Sequence, residues 1–316
     1  MRLRSMNEKL NKILNSYISL GGSELILSKQ VGSLVVDHNK VLMKNDVPGL
    51  KIGYKELRDS VEVIVKVENN TKIKNPVHLC FGMTSKTGKQ VIRSNFLIGR
   101  NSSVKFVSHC IFPNAEKVEH IMDSKIKILD GGKMKYLEDH YHSEKGAVVK
   151  PRLNAIIGKN GMLIEEIKVI RGSVGLLDID YNIHQEDRSS VELLAKVYGK
   201  KQDRIKIKDS IFLDGKFASG TTKTRIALTD SSKGEVFGEV VANAPFTRGH
   251  VDCQEILNGK SVVARSTPMI VVNDPTARVT HEAAIGRINR KELETLMARG
   301  LSKEEAMDFI VNGLMK

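Results

Sequence analysis

The chain has 316 residues, of which 41% are hydrophobic and 28% charged, and a formal net charge of +13. That length and balance describe an ordinary globular protein with material for a substantial core, and no apolar run reaches the roughly 18 residues a membrane-spanning helix needs. Three scattered cysteines (Cys80, Cys110 and Cys253) with no C-x-x-C pair exclude a disulfide framework and any self-contained zinc ribbon or four-cysteine cluster motif.

The N-terminus begins Met1-Arg2-Leu3-Arg4-Ser5, which carries charge but lacks the apolar stretch of a secretory signal, so a cytoplasmic location is expected. A helix is predicted over 6–20, with Leu10, Ile13, Leu14 and Tyr17 at helical spacing and Gly21-Gly22 as the stop. Its expected role is packing, without chemistry.

From about 23 to 280 the period changes from helical to two. Val191, Leu193, Ala195 and Val197 alternate with Glu192, Leu194 and Lys196, and Thr224, Ile226 and Leu228 alternate with Lys223, Arg225 and Ala227. Such alternation turns one face inward and the other to water. Compact breakers lie between the strands, among them Asp130-Gly131-Gly132, Lys159-Asn160-Gly161, Asp214-Gly215 and Asn258-Gly259. Many short strands without intervening helices disfavour a doubly wound α/β fold and fit a sandwich, a barrel or a β-solenoid. No sequence repeat chooses among them, although an irregular solenoid needs only a shared in/out alternation.

The cations of this region, as in Arg204-Ile205-Lys206-Ile207-Lys208, fall together on the solvent face of a strand. Nucleic acid is a partner that the net charge raises, but no Trp and 5% aromatics leave little for base stacking, so it is disfavoured.

One group of residues carries metal chemistry. His250, Asp252, Cys253 and Glu255 crowd into six positions, and His281-Glu282 follows Cys253 by 28 residues. On a strand, 250, 252 and 254 share one face while Cys253 and Glu255 share the other. Thiolate, imidazole and carboxylate all bind iron, the thiolate being the softest. A spacing of 28 also approximates one long solenoid coil, which would stack His281-Glu282 beside Cys253. The competing reading is a buried apolar cysteine with solvated His and Glu nearby. Catalytic motifs fail: Gly259-Lys260-Ser261 lacks the upstream glycine of a phosphate loop, Gln254 standing there, and His281-Glu282 has no second histidine of a metalloprotease.

At the C-terminus two short helices are predicted, over 290–299 and 303–312. Asn289 with Glu292, and Ser302 with Glu305, form capping-box patterns, while Gly300 and Gly313 supply the stops. Such a hairpin either caps the β domain or presents an apolar groove to a partner.

The stretch D-P-T-A-R-V-T-H-E-A-A-I-G-R-I at 274–288 resembles the C-terminal signature of the SufB/SufD scaffold family, as do G-H-V-D-C-Q-E-I-L at 249–257, A-R-S-T-P at 264–268 and L-E-T-L-M-A-R-G-L-S at 293–302. The resemblance is strong over 234–316 and pattern-level over 148–233. It implies a mainly β fold: a right-handed parallel β-helix core (23–285), preceded by the N-terminal helical segment (1–22) and followed by the C-terminal helical hairpin (286–316). It also implies a non-catalytic scaffold that assembles a transient iron–sulfur cluster, dimerises along the β-helix and works with a SufC-like ATPase. Cys253, Glu282 and His281 would then be ligands, with His250 secondary, and Leu293, Leu296, Met297, Met307, Phe309 and Ile310 would dock the ATPase. The His-Glu pair makes the chain similar to the SufB type, in a short, archaeal-type form that works as a homodimer. The alternative from another class is a β-solenoid polysaccharide-acting enzyme or carbohydrate-binding protein, against which the absent signal and absent Trp both count.

Overall fold

The alternation read from the sequence is the alternation of the molecule: Val191, Leu193, Ala195 and Val197 are all buried along one strand. A computed structural model describes residues 2–19 and 21–315. Its strands form one ten-stranded and one nine-stranded sheet. After the first strands the chain passes back and forth between the two, so each strand pairs in parallel with the strand one coil away. Ser103 pairs with Lys133, Met162 with Ser190, and Ser190 with Ser219, a coil of 28–30 residues. This is a β-solenoid, with one large apolar core running between the sheets.

The repeat hidden from side-chain identity is plain in the backbone. At one corner of successive coils Asn70, Asn101, Gly131, Asn160, Arg188, Phe217 and Phe246 all adopt left-handed φ angles between 51° and 68°. Each non-glycine there costs about 1–2 kcal/mol. The cost is offset by coil-to-coil bonds: the N–H groups of Asn101, Asn160, Arg188 and Phe217 donate to the carbonyls of Asp130, Asp187, Lys216 and Pro245 at 2.8–3.1 Å. Because backbone holds the corner, residues as unlike as Asn and Phe serve in it, and no consensus marks the coil.

The stack begins with two antiparallel pairs, Ser33–Asp37 with Lys40–Asn45 and Leu50–Glu56 with Val61–Val67. The N-terminal helix, Arg2–Ser19, packs Ile13, Leu14 and Tyr17 over Val35, Cys80 and Ile111 on the outside of the ten-stranded sheet. It is a packing helix, as expected; Leu20, its expected last residue, lies outside the described residues. At the other end Val263–Val272 and Arg278–Arg287 are the last strands of the two sheets, and their residues are mostly exposed or half-buried.

The terminal helices are Arg290–Ala298 and Lys303–Leu314. Ser302 and Glu305 make the expected capping box. Asn289 instead accepts the N–H of Lys291 at 2.9 Å, one residue short of a box with Glu292. Gly300 stops the first helix in a left-handed conformation. Gly313 does not stop the second, which runs through it, because Met315 closes the turn with an N–H bond to the Val311 carbonyl.

Candidate functional site

Cys253 lies on the strand Arg248–Asn258, where Gly249, Val251, Cys253 and Glu255 point into the solenoid. It is only 1% exposed, and burial pushes its thiol pKa up, with Ser266 partly opposing. Glu255, next on the same face, has both carboxylate oxygens buried without a partner, and burial raises its pKa to about 7. Asp209, also inward and buried, is likewise raised to about 7, by burial and then by the Asp180 charge.

The outer face of the same strand is spoken for. Arg225 grips the Asp252 carboxylate at 2.9 and 2.5 Å, and His250 Nδ1 meets Thr280 Oγ1 at 2.8 Å. His250 therefore stands on the face opposite Cys253 and is not brought to it.

The final strand fixes the remaining candidates. The coil period here is 30, so His281 pairs with Val251, Glu282 with Asp252, and Cys253 with Ala283. His281 accordingly shares the inward face of Cys253 on the neighbouring coil, whereas Glu282 falls on the outer face. Both are solvent-exposed, since among the described residues no strand pairs on the far side of Arg278–Arg287.

The C-terminal helices fold back on the outside of the ten-stranded sheet. Val311 and Met315 pack on Tyr198 and Ala227, and the Tyr198 hydroxyl donates to Asp308 Oδ1 at 3.1 Å. Of the expected docking residues, Met297 and Phe309 are 41% and 64% exposed. Leu296 and Ile310 are half-buried and line an open groove of about 610 Å³ together with Phe309. Leu293 and Met307 are half-buried, Met307 with its sulfur against the Asn258 amide.

A second group of ligand-type side chains went unread in the sequence. Cys110, His120, Glu138, His140 and His142 are all buried between the sheets. Cys110 Sγ lies 3.5 Å from His120 Nε2 and 3.9 Å from Glu138 Oε1, and Glu138 Oε1 lies 2.5 Å from His140 Nε2. Burial, then the Glu138 charge, drives the Cys110 pKa well up; burial drives that of His120 well down and that of His142 to about 3. The signal was present: Glu138, His140 and His142 alternate, which puts them on one strand face, and Cys110 precedes His140 by one coil.

Among the described residues no helix is long and apolar enough to cross a membrane. Comparison with known proteins places relatives along nearly the whole chain. Residues 81–314 match the profile of the SUF system FeS cluster assembly, SufBD core domain. An iron–sulfur cluster assembly SufBD family protein of Methanocaldococcus jannaschii is 34% identical over 98% of this chain and 99% of its own length. A SufBD family protein of Pyrococcus horikoshii is 30% identical over 98% of this chain and 97% of its own, and a second from that organism is 26% identical over 80% of this chain and 57% of its own. With the family profile covering most of the solenoid and full-length relatives at this identity, the chain belongs to the SufBD family of iron–sulfur cluster assembly proteins.

Proposed function

We propose that this chain is a scaffold on which an iron–sulfur cluster is assembled and from which it is handed on, its ATP hydrolysis supplied by a separate SufC-like subunit. The observation that carries this reading is the uncapped end of the solenoid: Cys253 on the penultimate coil of its sheet, with His281 on the same face of the last one. A thiolate and an imidazole are competent ligands to cluster iron. Two ligands on one face hold a cluster incompletely, which suits cargo meant for release. Glu282, on the outer face of the same edge, is a harder ligand, reachable by a cluster lying at the rim or by one shared with a second copy.

The same edge supports a homodimer as part of this reading. Two exposed terminal strands present unpaired backbone groups, which a second copy would satisfy. The groove of Leu296, Phe309 and Ile310, with Met297 exposed beside it, is the surface offered to the ATPase. In this reading the chain is cytoplasmic and contributes no catalytic group of its own.

Anaerobic reconstitution with iron and sulfide tests the scaffold reading. The parent protein should acquire a visible, oxygen-labile chromophore that Cys253→Ala strongly diminishes. Equal cluster content in the two proteins would overturn the assignment of Cys253.

A further inference from the structure

The lumen of a solenoid ordinarily holds apolar side chains, and burying polar ones without partners costs several kcal/mol each in an apolar medium. Here one stretch of it holds a cysteine, a glutamate and three histidines. His120 is fully buried, with Nδ1 bonded to nothing. Ligand atoms of Cys110, Glu138 and His140 all lie within 4.8 Å of one another. Glu138 also borders a cavity of about 20 Å³ between Met122, Tyr136, Glu165 and Tyr181, space for about one water.

Hydrogen bonding decides which atoms are free to bind. His142 Nδ1 stands 3.2 and 3.3 Å from the carbonyl oxygens of Ser173 and Val174, so it carries a proton and donates. In the neutral ring its Nε2 is then an acceptor, and it faces His140 Nδ1 at 3.4 Å. His140 Nδ1 therefore carries the proton of that ring, and His140 Nε2 turns its lone pair toward Glu138 Oε1, with Cys110 in the same cluster. A histidine whose second nitrogen donates to a fixed neighbour is the arrangement that orients metal-bound imidazoles.

The distances fit an ion. Around a tetrahedral centre with metal–sulfur bonds of about 2.3 Å and metal–nitrogen or –oxygen bonds of about 2.0–2.1 Å, the S···O and N···O separations are about 3.5 and 3.3 Å. Cys110 Sγ and Glu138 Oε1 are already 3.9 Å apart, and the Glu138–His140 contact of 2.5 Å needs to open by less than about 1 Å.

We propose that Cys110, Glu138 and His140 bind one divalent transition-metal ion inside the solenoid, at a site separate from Cys253. The thiolate–imidazole–carboxylate set selects zinc, cobalt or ferrous iron over magnesium or calcium, which take oxygen ligands. Binding displaces the thiol proton of Cys110, since the thiolate is the metal ligand. The fourth position falls to a water from the adjoining cavity. The row Cys110, His140, Val169, Val197, Ile226, Glu255 spans five strand spacings, about 24 Å, so the two thiols cannot share an ion.

Anaerobic titration of the full chain with cobalt(II) alone tests this, carried out on Cys253→Ser so that only the inner site offers a cluster of ligands. One equivalent should produce thiolate-to-cobalt charge-transfer absorption. Adding Cys110→Ser should abolish it, and adding His140→Gln should weaken binding at least tenfold. No thiolate band in Cys253→Ser, or a band that survives Cys110→Ser, overturns the proposal. Should the Cys110 variant fail to fold, anomalous diffraction from cobalt-soaked parent crystals decides the matter. A peak between Cys110 Sγ and His140 Nε2 upholds the site, and none there refutes it.

Discussion

Cys253 stands opposite Ala283, not opposite His281, because the last coil is 30 residues long. His281 is thereby set two residues back along the inward face, and Glu282 is turned to the outer one. Cluster content in a reconstitution series should therefore fall furthest in Cys253→Ala, next in His281→Ala and least in Glu282→Ala. If Glu282→Ala loses more than His281→Ala, the cluster is not held within one protomer's inner face and is shared across the rim.

Asp209 makes the fold pH-sensitive. Its pKa is raised by burial from an ordinary aspartate value to about 7. Below about pH 3 both the folded and unfolded forms are protonated, and it contributes no difference. As the pH rises toward 7 the unfolded chain ionises while the folded one resists, so stability is lost across that window and levels off above it. Asp209→Asn cannot ionise. Relative to the parent it should gain about 2–4 kcal/mol more at pH 8 than at pH 4.5 in urea unfolding, and an equal difference at both values would contradict the burial argument.

The C-terminal hairpin has a buried side and an exposed one. Ala306, Val311 and Met315 are buried, whereas Met297 and Phe309 are exposed. The double change Met297→Ser, Phe309→Ser should leave stability within about 0.5 kcal/mol and yet weaken co-purification with the SufC-like ATPase at least tenfold. Unchanged capture would make the hairpin an end cap only.

Tyr17 ties the N-terminal helix to the solenoid wall. Its hydroxyl meets His78 Nδ1 at 2.9 Å and accepts the Ser23 N–H at 3.1 Å. Tyr17→Phe strands both partners and should cost about 1–3 kcal/mol in chemical denaturation, with cluster content per folded protein unchanged.

Much of this was legible in the residues themselves. Period-two alternation at Val191–Val197 gave inward and outward faces without any knowledge of neighbours, since a strand's side chains alternate whatever it pairs with. Ser302 and Glu305 announced a helix start because their bonds are local. The carbohydrate alternative arose from the same local pattern and lost its support once the SufBD core profile was matched over 81–314. The tertiary structure decided what local pattern cannot. Coil length varies between 28 and 31 residues, and a slip of two residues moves a ligand to a different partner; the expected stacking of His281-Glu282 beside Cys253 became Val251 with His281 and Asp252 with Glu282. The corner residues hid the coil length, since backbone bonds hold Phe217 and Asn160 alike in the left-handed turn. Cys110 and His140 meet because two strands one coil apart fall into register, and His120 joins them from the opposite sheet; contacts between sheets depend on closure of the whole solenoid, which no segment of the chain specifies alone.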